Sequence, residues 1–150
     1  MQLGRRLLLQ SGMAFAALAA IPKTLLAAVW PENAFSQTAA AQAMTDLFGT
    51  DQTTPSDQIM MKVPQIAENG AVVPVTITTT LENVESVSIV VDNNPRPLAA
   101  TFELSDGTLP ELSSRIKMGK TSNVMAVVKT DTGIFSASKE VKVTIGGCGG

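Results

Sequence analysis

From Gln58 onward, apolar residues recur at every second position. Ile59, Met61 and Val63 alternate with Met60 and Lys62, and Val73, Val75, Ile77, Thr79 and Leu81 alternate with Pro74, Thr76, Thr78 and Thr80. Val87, Ile89 and Val91 alternate with Ser86 and Ser88; Leu98, Ala100, Phe102 and Leu104 alternate with Thr101 and Glu103. Ser113, Arg115 and Lys117 lie opposite Leu112, Ile116 and Met118, a run centred on Val124–Val128 follows, and Phe135, Val141, Val143 and Ile145 finish the series. A period of two is the mark of strands with one face in a core. Turn signals separate the runs: Glu68-Asn69-Gly70, Asp92-Asn93-Asn94-Pro95-Arg96-Pro97, Ser105-Asp106-Gly107 and Asp131-Thr132-Gly133. Pro74 lacks a backbone N–H, so it belongs at an edge or at a strand start. Seven or eight short strands without βαβ alternation predict an all-β fold, an immunoglobulin-like antiparallel β-sandwich over residues 58–145 with no disulfide.

Upstream the period changes. Ala40, Met44, Leu47 and Phe48 fall at i, i+4, i+7 and i+8, one apolar helical stripe. Ser36 is a candidate cap for a short helix ending at Phe48, with Gly49 as its stop. Thr50–Ser56 reads as a polar linker around Pro55, so residues 29–57 form a lead-in. Before it, Arg5 and Arg6 precede an apolar, Ala-rich stretch reaching about Ala28, which resembles a twin-arginine export signal over residues 1–28. Pro22-Lys23 interrupts the run, and Leu26-Ala27-Ala28 offers a small-residue cleavage site, so a stable membrane anchor is not expected. Export by that route predicts a periplasmic protein.

Composition narrows the chemistry. No histidine occurs in the 150 residues, which removes the commonest general base and the commonest metal ligand. One cysteine supplies one zinc ligand of four, so neither a metal nor another cofactor is expected. The leader holds three of the 11 basic residues and none of the 13 acidic ones, so cleavage moves the net charge from −2 to −5. No basic run interleaves with aromatics, and nucleic acid is not an expected partner. Twin-arginine export carries folded proteins; with no cofactor to explain it, a partner that leaves the cytoplasm with this chain is expected.

The chemistry concentrates in the last five residues, Gly146-Gly147-Cys148-Gly149-Gly150. Four glycines around one thiol make a narrow, flexible arm, because glycine loses the most conformational freedom on ordering. Five extended residues reach about 16–18 Å. A thiolate attacks sulfur electrophiles and ends as a persulfide or mixed disulfide. Nothing in the arm favours the thiolate: the nearest basic residue is Lys142, and the C-terminal carboxylate opposes it. Activation is then left to an enzyme that receives the arm, making Cys148 a covalent attachment point and leaving no catalytic residue in this chain.

The ending from Glu140 to Gly150 resembles the C-terminus of the SoxY family, the carrier subunits of bacterial thiosulfate oxidation. Ile66–Val75, Asn94-Pro95-Arg96-Pro97, Ser114-Arg115-Ile116 and the leader fit the same family. The resemblance implies a heterodimer with a SoxZ-like subunit lacking its own signal, hence joint export. It also implies a c-type cytochrome that oxidatively joins thiosulfate to the arm cysteine, a hydrolase that releases sulfate, and a sulfane dehydrogenase that oxidises the sulfur left behind. Two rival readings stand beside it. One is an exported binding module whose tail cysteine only makes an intermolecular disulfide. The other is a self-sufficient thiol oxidoreductase, weakened by the missing second cysteine.

Overall fold

The computed structural model describes residues 30–144. Two helices, α1 (Glu32–Ser36) and α2 (Ala40–Phe48), precede nine strands. These are β1 (Thr54–Pro55), β2 (Ile59–Lys62), β3 (Ile66–Ala67), β4 (Val73–Thr79), β5 (Val84–Val91), β6 (Leu98–Glu103), β7 (Glu111–Ile116), β8 (Ser122–Thr130) and β9 (Gly133–Val143). One sheet runs β1-β9-β8-β5-β6 with β3 also on β9; the other runs β2-β4-β7. The long pairings are all antiparallel, and β1 and β3 join β9 in parallel. This is the two-sheet sandwich that the period of two predicts.

The alternating positions fill the space between the sheets. Val73, Val75 and Ile77 of β4 face Val87, Ile89 and Val91 of β5 and Val124, Ala126 and Val128 of β8 in one buried cluster. The Asp131-Thr132 turn is a two-residue hairpin, since Thr130 pairs with Gly133. Pro74 lies beyond the end of β2, whose last partner on β4 is Thr76, so β4 has a neighbour there on one side only.

A second cluster covers the outer face of the larger sheet. Ala34, Ala43 and Met44 from the helices pack on Val90, Leu98 and Val127. Strands β5 and β8 are therefore buried on both faces over most of their length, and even Ser86 and Ser88 of β5 are buried.

Four local expectations are corrected. Helix α2 starts at Ala40 with Ala39 as its N-cap and no side-chain cap. Ser36 instead ends α1, its hydroxyl donating to the Asn33 carbonyl at 2.8 Å. Gly49 does stop α2, in the left-handed region at φ 80° with its N–H on the Thr45 carbonyl. Thr54–Pro55, read as linker, pairs with Phe135 and Ser136. The Glu68-Asn69-Gly70 turn is real, with Val72 N–H donating to Asn69 O, yet it does not join two paired strands: β3 pairs with β9 and β4 with β2 and β7. Finally, Leu98 does not share a face with Ala100 and Phe102. A bulge pairs Val90 with Leu98 and Ile89 with Ala100, leaving Ala99 extra and turning Leu98 toward the helices.

Candidate functional site: the root of the C-terminal arm

Cys148, its neighbours Gly146, Gly147, Gly149 and Gly150, and Arg5 and Arg6 at the other terminus all lie outside the described residues. The described chain stops at Thr144, four residues before Cys148. What the structure defines is the base from which the tail departs.

That base is tied down from three sides. Along β9, Lys142 N–H donates to Gln65 O at 2.9 Å and Thr144 N–H to Ala67 O at 3.1 Å, so β3 splints the final turn of the strand. From the β7–β8 loop, Thr121 Oγ1 accepts the Val143 N–H at 3.0 Å. Gly70 joins the two sides: its carbonyl accepts the Met118 N–H at 2.7 Å. A Cβ on residue 70 would overlap the Met118 carbonyl oxygen and come within 2.9 Å of a Val143 methyl. Only glycine allows so close an approach.

Asn93 and Asn94 pin the same loop from the β5–β6 turn. Asn94 Nδ2 donates to Lys117 O at 2.6 Å while its Oδ1 accepts from Gly119 N–H at 3.1 Å. Asn93 Nδ2 donates to Thr121 O at 3.1 Å, and its backbone N–H to Ser122 Oγ at 2.9 Å. Three loops are thus cross-linked around Val143 by hydrogen bonds. That Thr121 meets Val143 and Met118 meets Gly70 is not legible in the sequence, because nothing in a loop sequence states which strand end it will meet.

Asn94-Pro95-Arg96 and Ser114-Arg115-Ile116, far apart in sequence, line one cleft of ≈ 540 Å³ with Leu98, Lys117 and Gly119. It opens between β6 and β7, the edge strands of the two sheets. On the opposite side the sandwich is closed, with Lys139 Nζ of β9 donating to Met61 O of β2 at 2.7 Å. A larger hollow of ≈ 760 Å³ sits at the far end, lined by Glu85, Glu103, Asp106 and Asp131. It holds an exposed Lys129–Glu85 ion pair at 2.7 Å. The arm leaves from the other end.

The chain matches the family model for sulfur oxidation protein SoxY over residues 44–148. Among solved structures it is similar to the sulfur carrier protein SoxY from Chlorobium limicola f thiosulfatophilum. There the identity is 40%, 69% of this chain and 94% of that chain are covered, and the TM-score is 0.62. It is also similar to superoxide reductase (neelaredoxin) from Ignicoccus hospitalis, at 14% identity over 65% of this chain and 98% of that one, with a TM-score of 0.56. The second likeness concerns the fold alone. No curated protein matches the chain in sequence. The match through residue 148 and the 40% identity over 69% of the chain establish that this chain belongs to the SoxY family, non-catalytic sulfur carriers of sulfur oxidation.

Proposed function

We propose that the chain is exported by the twin-arginine route to the periplasm as a heterodimer with a SoxZ-like subunit and carries thiosulfate-derived sulfur covalently on Cys148. The observation that carries this reading is the extent of the family match, which runs through Cys148 rather than ending with the sandwich. The fixed base at Val143 supports it, because a tether works best from a rigid mount.

The c-type cytochrome joins the outer sulfur of thiosulfate to Sγ. The thiol loses its proton, two electrons pass to the cytochrome, and Sγ carries –S–SO₃⁻. The hydrolase then adds water and releases sulfate, leaving a persulfide for the sulfane dehydrogenase. Throughout, this chain supplies the thiol, its reach and its presentation; the catalytic groups belong to the enzymes.

Intact mass of the protein from its native host, with and without reductant, tests the reading. Reductant-sensitive adducts matching added sulfur or thiosulfonate are expected, and none on Cys148→Ser. A bare thiol or only a disulfide dimer, in cells growing on thiosulfate, would replace the carrier by the crosslinked binding module.

A further inference from the structure

Strand registers sort the charges in a way the linear sequence hides. Val91 pairs with Val124, which pairs with Lys139, while Val84 and Gly133 both pair with Thr130. On the smaller sheet, Val73 pairs with Ile116 and Thr78 with Glu111. The arm end of the sandwich therefore holds the exposed Arg96, Arg115, Lys117, Lys120 and Lys142, against Glu68, Asp92 and Glu140. Among the described residues, the far end holds Glu82, Glu85, Glu103, Asp106, Glu111 and Asp131, against Lys129 alone. The domain is acidic overall yet basic where the tail departs. Arg96, Arg115 and Lys117 also share the cleft between β6 and β7, which has no acidic residue in its lining.

Resting on the reading of Cys148 as a covalent carrier, we infer that this basic end docks against an acidic rim around the active-site entrance of an enzyme that receives the arm. Geometry selects the rim. Cys148 lies four residues beyond Thr144, a span of at most about 13–14 Å of chain. When it reaches a buried reaction centre, the surface facing Arg96, Arg115 and Lys117 is the border of the entrance. Once the two surfaces meet, opposite charges across them lie within the ~8 Å screening length of physiological salt and attract. A carrier polarised in this way also turns its arm end forward as it approaches, raising the encounter rate rather than the chemical rate.

The probe is the sulfate-releasing hydrolase of the same system, acting on the intact, thiosulfonate-loaded heterodimer with loading checked by mass. Arg96→Gln/Arg115→Gln/Lys117→Gln is expected to lower kcat/KM about tenfold at low ionic strength, with the gap closing to under about twofold near 0.5 M salt and kcat unchanged. Glu82→Gln/Asp106→Asn at the far end is expected to stay within about twofold. Unloaded Cys148→Ser carrier should inhibit competitively, and the triple substitution should weaken that inhibition by a similar factor. An unchanged inhibition constant would mean that the cations touch the anionic cargo, and dissociation of the heterodimer would assign them to the subunit interface; either overturns the inference. Salt-independent cleavage overturns the docking surface and leaves the carrier standing, whereas no cleavage of a loaded carrier removes both.

Discussion

The two sheets of this sandwich share one core but live in different surroundings. Strands β5 and β8 of the larger sheet are buried on both faces, between the other sheet and the two helices. Strands β2, β4 and β7 of the smaller sheet alternate: Ile59, Met61, Val73, Val75 and Ile77 point inward, while Met60, Lys62, Ser113 and Arg115 are exposed. Ile89–Val91 and Val124–Val128 of the larger sheet are continuous apolar runs, whereas β2 and β4 of the smaller sheet alternate. Burial on both sides makes one sheet the structural anchor. The other keeps a solvated face and contributes Ser114, Arg115 and Ile116 to the cleft between β6 and β7.

The sharpest way to break this comparison is to place one charge on each outer face. Val127→Asp would sit beneath the helices among Ala34, Ala43 and Met44 with no partner, and is expected to cost about 4 kcal/mol or more. Met60→Asp, on the open face at 56% exposure, is expected to change stability by no more than about 0.5 kcal/mol. Denaturant unfolding of the two variants checks both; equal losses would mean that the helices do not shield the larger sheet.

Next in size is the seam between the sheets at the arm end. Gly70→Ala forces apart the Met118 carbonyl and the Val143 side chain, at an expected cost of about 1–3 kcal/mol. Amide exchange of Val143 and Thr144 should accelerate more than exchange in β5, since the damage is local to the arm root. The smallest effect is expected on the closed side. Lys139→Met removes the bond to the Met61 carbonyl and should cost about 0.5–1 kcal/mol, read as a small shift of the unfolding midpoint.

How much of this was legible follows the range of the forces involved. The alternation at Val73–Ile77 and Val87–Val91, the stop at Gly49 and the Asp131-Thr132 hairpin depend on near neighbours, and the sequence reading matched the structure there. The start of α2 was missed because Ala39 caps it without a side-chain bond, leaving no local signature. β1 and β3 are two residues each and exist only because β9 offers them an edge. The bulge at Ala99 was hidden for a similar reason: its cause is the helix layer waiting for Leu98. At the arm root, Asn94, Arg96 and Arg115 had been marked by resemblance, but their meeting in one cleft depends on which edges face each other. The charge polarity was out of reach, since Glu111 and Arg115 stand four residues apart on one strand yet belong to opposite ends.

The strand that launches the tail is also the longest, and its outer border is occupied near both ends. β1 lies against Phe135 and Ser136, and β3 against Lys142 and Val143. A bare border of eleven residues would be a template on which a second copy could add its own strand, the first step toward fibrillar aggregation. Among the described residues, these two short strands cover that border at both ends. With those two short segments in place, copies that meet along this strand find no long open backbone ladder on which to pair.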